Sequence, residues 1–205
     1  MASRMMHLAI SERVAEHFGL DLMRFNLGNL LPDLHENTRE AKAISHFRIE
    51  REPYEDSKDD EYQYYDYEQF LQKYENKIYD DLYLGYYCHL IADELWIQKI
   101  YIKCMRDENR KKRIDQQNNY YHDYSRLNQI IKEKYNLKMN VVFEPSQISE
   151  IDDKKMPKLK TALEYDFKTE YDDLDLLLFD YKNIMAYVEE ASSTIVKDLE
   201  QRNLR

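Results

Sequence analysis

Apolar positions along most of the chain recur at intervals of three and four, the spacing of a helix face, and few runs alternate as a strand would. From Ser3 to about His17, Met6, Ala9, Ile10 and Val14 share one face and predict a first helix. "DLMRFNLGNLLPDLHEN" follows; its Gly28 and Pro32 predict a long ordered loop, apolar enough to be packed. Residues 38–47 read as a short helix. "REPYEDSKDDEY", 51–62, is the most polar stretch and reads as a mobile loop. Tyr62 to Tyr79 reads as helical, with Tyr67, Phe70, Leu71 and Tyr74 on one face. A further helix should begin near the plausible N-caps Asp80 or Asp81 and reach about Met105. Another spans roughly Arg110 to Tyr135, and an amphipathic one about Tyr181 to Gln201. Between them "NLKMNVVFEPSQISEIDDKKMP" is irregular, with "MNVVF" its one strand-like run. There is no internal repeat and no composition break. The expectation is a single all-α domain over residues 1–205, a bundle of six or seven helices.

Composition sharpens that picture. Only 3 glycines and 4 prolines occur in 205 residues, too few for an all-β chain full of tight turns. The formal charge of −10 argues against a nucleic-acid partner and against docking on anionic membranes. No stretch approaches the apolar length of a membrane span, and the start "MASRMMHLAISERVAEHF" lacks a signal-peptide core. Cys88 and Cys104, on one predicted helix, would lie roughly 24 Å apart, too far for a disulfide. Buried reduced thiols and a cytoplasmic location are the expectation. Tyrosine is abundant, at 19 residues, as on half-buried helix faces or a pocket wall.

The candidate chemistry sits in polar residues at apolar places. His7, His46 and His89 stand in "MMHLAI", "ISHF" and "YCHLIAD", whereas His17 and His35 read as surface residues. His89 and Asp93 are one helical turn apart, so they can offer a nitrogen and an oxygen to one cation. Asp33 follows a proline in an apolar segment, where a buried carboxylate needs a partner. Two imidazoles and two carboxylates suit zinc, iron or manganese better than magnesium or calcium.

The order "MMHLAI", "FNLGNLLPDL", "KAISHF", "YLGYYCHLIADELW" resembles the motif order of the zinc-dependent phospholipase C family, particularly its short bacterial members of undefined substrate. The resemblance covers roughly residues 5 to 100. It implies an all-α fold of the phospholipase C and P1 nuclease type, with a metal site between helices. It also implies metal ligation by Asp33, His46, His89 and Asp93, with Asp93 bridging to a second ion held by His7. The chain departs from the family after Asp93, where His122 is the only histidine left, so one or two ions are expected rather than three. The chemistry implied is hydrolysis of a small phosphoester by metal-activated water, with Asp93 and Asp123 as candidate catalytic carboxylates. Lys42 and Arg48, flanking His46, are either phosphate contacts or, the commoner case, solvated charges. Two other readings stand beside it. One is an HD-domain-like phosphohydrolase centred on His122-Asp123; the other is a non-catalytic helical scaffold retaining a structural metal.

Overall fold

The structure, a computed structural model, describes residues 1–36, 38–49, 64–105 and 110–205. The expected mobile loop at 51–62 lies outside the described residues. Within them the protein is all-α but for one short strand pair.

Helix α1 (Arg4–Phe18) starts where the Ser3 hydroxyl caps the Met6 amide. Helix α2 (Leu22–Leu30) is capped by Asp21 and runs into a 3-10 turn, Leu31–Asp33. Helix α3 (Arg39–Ser45), capped by Thr38, ends at His46. Phe47 then adopts a left-handed φ of 49°, which turns the chain away while His46 stays inside. Strands β1 (Arg48–Ile49) and β2 (Tyr64–Tyr65) pair antiparallel, with Arg48 opposite Tyr65. Helix α4 (Tyr67–Lys73) leads through turns to α5 (Asp81–Trp96), which Asp80 caps. A π turn at Ile97–Tyr101 joins α5 to α6 (Ile102–Met105). Helices α7 (Arg110–Lys134), α8 (Met156–Lys168) and α9 (Tyr181–Gln201) complete the chain. With α5, the π turn and α6 taken as one rod, the described residues form a single eight-helix bundle.

Helix α5 is the central element. Every residue from Leu82 to Asp93 is buried, and α1, α2, α4 and α9 all pack on it. Gly28 and Gly85 set the closest crossing. A Cβ at Gly28 would stand 1.9 Å from the Leu82 carbonyl oxygen, and one at Gly85 2.2 Å from that of Phe25. Only glycine lets the α2 and α5 backbones meet like this. Here the sequence reading is corrected: Gly28 marks a helix crossing inside α2, and only Pro32 marks the departure from the helix. Two further differences concern strands and α4. "MNVVF" forms no strand, and the stretch to Tyr79 holds β2, the short α4 and turns rather than one helix. Both cysteines are free, with Cys88 buried in the core. No helix among the described residues is long and apolar enough to cross a membrane.

Candidate metal centre

His46, His89 and Asp93 are fully buried where α3, the end of α2 and the middle of α5 meet, and Asp33 closes the group with its side chain 12% exposed. Each imidazole is aimed by a hydrogen bond on its far nitrogen. His89 Nδ1 lies 2.7 Å from the Asn29 carbonyl, at the C-terminal end of α2 where carbonyls run out of helical partners. His46 Nδ1 lies 3.1 Å from the Lys42 carbonyl and 2.9 Å from Ser45 Oγ. A carbonyl can only accept, so each Nδ1 that meets one carries a proton, and in the neutral form of such a ring Nε2 is left as a lone pair.

The two Nε2 atoms face each other at 3.3 Å. His46 Nε2 is also 3.5 Å from Asp33 Oδ1 and 3.5 Å from Asp93 Oδ2, and His89 Nε2 is 3.8 Å from Asp93 Oδ2. Direct N–H···O hydrogen bonds would measure about 2.7–3.2 Å. Donors placed about 2.0–2.2 Å from one tetrahedral ion stand about 3.3–3.6 Å apart. Three of the four observed separations follow the second spacing, and the fourth, His89 to Asp93 at 3.8 Å, is longer than either. Asp33 Oδ1 is moreover buried without a hydrogen bond.

A second group adjoins the first. His7 Nε2 lies 3.4 Å from Asp93 Oδ1, and neither of its ring nitrogens has a hydrogen bond although the side chain is fully buried. Its ring stacks on that of His89 at 3.9 Å. Donor atoms of His7, Asp33 and His89 lie within 4.8 Å of one another, as do those of His46, His89 and Asp93. Asp93 faces both groups. Its Oδ1 accepts the Ala2 amide at 2.8 Å, while its Oδ2 accepts the Tyr65 hydroxyl at 3.3 Å. Tyr124 fixes the Ala2 peptide by donating to its carbonyl at 2.6 Å.

Electrostatics favour the metal-binding forms of His89, Asp33 and Asp93. Burial, then the neighbouring His7, pushes the His89 pKa down to about 3, so its ring is neutral. For Asp33, burial acts upward, but the nearness of the His46 and His89 rings outweighs it and holds the carboxylate below its ordinary range. Asp93 is likewise held well below its ordinary range: burial acts upward, and the Met1 ammonium, then the His46 and His7 rings, outweigh it. Ala2 and Tyr65 donate to Asp93, whereas Asp33 Oδ1 meets no donor, and a cation shared with neutral imidazoles would satisfy it.

The structure therefore brings His7, Asp33, His46, His89 and Asp93 together, and leaves the His122-Asp123 pair outside both groups. Asp123 is buried and accepts the backbone amides of Leu177, Leu178 and Phe179 at 2.7–2.8 Å, plus His122 Nδ1 at 3.0 Å. It anchors the segment before α9 to α7.

The sequence reading missed three neighbours, Asn29, Tyr65 and the inward place of His35, and left Lys42 open. The Asn29 carbonyl and the Tyr65 hydroxyl carry no sequence signal, since Tyr65 arrives through the β1–β2 pair. Lys42, read as a phosphate contact or a solvated charge, is half-buried one turn before His46. His35, read as a surface residue, is half-buried with its ring 5.6 Å from that of His46.

Fold and site together define an all-α protein with a buried His/Asp cluster able to hold a metal ion. No family model, curated protein or solved structure matches the chain, so its function must be argued from these residues.

Proposed function

We propose that the cluster binds a zinc-type divalent ion and that the chain, read as one domain, hydrolyses small phosphoesters. The reading agrees with the resemblance to the zinc-dependent phospholipase C family. The observation that carries it is the 3.3–3.8 Å spacing of His46 Nε2, His89 Nε2 and the facing oxygens of Asp33 and Asp93. His46, His89, Asp33 and Asp93 would hold the first ion, and His7 with Asp93 would serve a neighbouring one. Zinc suits this donor set, with iron and manganese next.

A bound ion of this kind supplies hydroxide at neutral pH and neutralises charge on a phosphoryl oxygen. The protein's part is orientation. The Asn29 and Lys42 carbonyls fix the two imidazoles, and Tyr65 and the Ala2 amide fix Asp93. Asp123 takes no catalytic role in this reading, because both its oxygens hold backbone amides. The two free thiols suit a reducing compartment such as the cytoplasm.

A structural metal is the second reading. It draws on the full burial of His7, His46, His89 and Asp93, which leaves Asp33 alone open to solvent. Assay of chelated and zinc-reconstituted protein on p-nitrophenyl phosphate and its bis ester separates the two. The proposal expects turnover that disappears with chelation and returns with zinc. Stoichiometric zinc without turnover of either ester would leave the structural role.

A further inference from the structure

The geometry points to a phosphate-recognition edge on this centre, in which the Tyr65 hydroxyl and the Lys42 ammonium contact the phosphoryl group and Arg48 positions the tyrosine. The inference rests on the reading of the cluster as a metal centre and names the ligand chemistry of that site.

The need for such an edge follows from charge. Two carboxylates line the centre of a chain with formal charge −10, so an anionic substrate requires local donors and positive charge. Tyr65 is 5% exposed and borders the centre through its long 3.3 Å contact with Asp93 Oδ2. Arg48, its partner across the strand pair, donates from Nη2 to the same hydroxyl oxygen at 3.3 Å. Its guanidinium carbon lies 5.5 Å from the ring centroid. With Arg48 using a lone pair of the phenol oxygen, the Tyr65 proton is turned inward, toward the cluster.

Lys42 lies one helical turn before His46, on the same face of α3. Its carbonyl holds the His46 ring, yet among the described residues its half-buried ammonium has no hydrogen bond or ion pair. Side-chain exposure within the cluster is confined to Asp33, on the 3-10 turn against which α3 packs. A ligand entering beside Asp33 therefore passes α3, the helix that carries Lys42. When a metal ion takes Asp93 Oδ2, the Tyr65 proton can leave its long 3.3 Å contact there for one phosphoryl oxygen while Lys42 meets another; a neutral ester would leave the ammonium unmatched.

Titration of inorganic phosphate into zinc-loaded protein by calorimetry, with zinc per chain measured on each sample, tests this. Lys42→Met is expected to keep its zinc and weaken phosphate by about tenfold or more, the size of one charge-assisted hydrogen bond. Lys42→Arg should stay within about threefold of the parent, and Tyr65→Phe should weaken phosphate while keeping zinc. Unchanged phosphate affinity in zinc-loaded Lys42→Met and Tyr65→Phe would overturn the inference and leave the metal centre standing. A parent that takes up no zinc would instead defeat the reading of the centre. Phosphate binding that still depended on Lys42 would then uphold the edge by itself, and its absence would overturn both.

Discussion

At His89 one ring satisfies two opposed demands. It fills a core position among Leu90, Ile91 and Ala92, and it turns a bare nitrogen onto its neighbours because its other nitrogen is bound to Asn29. Asp123 shows the contrasting use of a buried polar residue. It too is fully buried, but its partners are peptide amides, so its task is to hold the chain before α9. Replacing Asp123 by Ala should therefore lower stability by roughly 2–4 kcal/mol, because three amides lose a charged acceptor. Metal content should stay at the parent level. Urea unfolding and elemental analysis of the variant check both statements; loss of metal without loss of stability would put Asp123 in the centre after all.

Among the elements, the α2–α5 crossing decides whether a centre can exist. The two glycines bring the backbones together, and that contact places the Asn29 carbonyl on His89. Gly28→Ala should destabilise by about 1–3 kcal/mol, since its methyl meets backbone rather than a movable side chain. It should also weaken zinc binding by displacing Asn29. A denaturation midpoint equal to the parent's would show that the crossing is looser than described. Helices α1, α5 and α9 were legible because their caps and periodicity agree, and α7 by its length. Helix α2 was not, because Gly28 carries the same letter in a crossing as in a loop. "MNVVF" has strand-like residues, yet no ladder forms: its one backbone bond to another element runs from Val142 to Met23 at 3.4 Å. Helix α8 buries only Met156, Leu159 and Leu163 as apolar residues, a stripe too narrow to stand out. In the site, His7, Asp33, His46, His89 and Asp93 were visible as polar residues in apolar surroundings. Tyr65 was one tyrosine among 19, and only the strand pair brings it in.

At the scale of the whole molecule, a bundle with formal charge −10 has gathered three imidazoles and two carboxylates at one buried place. The Met1 ammonium, the Ala2 amide and the Tyr65 hydroxyl compensate Asp93 in part, and a bound cation would compensate Asp33 as well. Binding of that cation is the central claim, and it is tested without knowing a substrate. Elemental analysis of the parent, His89→Ala and His122→Ala, each purified without chelator and equilibrated with zinc, reads the occupant directly. The account predicts about one ion or more per chain in the parent and in His122→Ala, and almost none in His89→Ala. Equal metal loss in both variants, or a parent that stays empty, would contradict it.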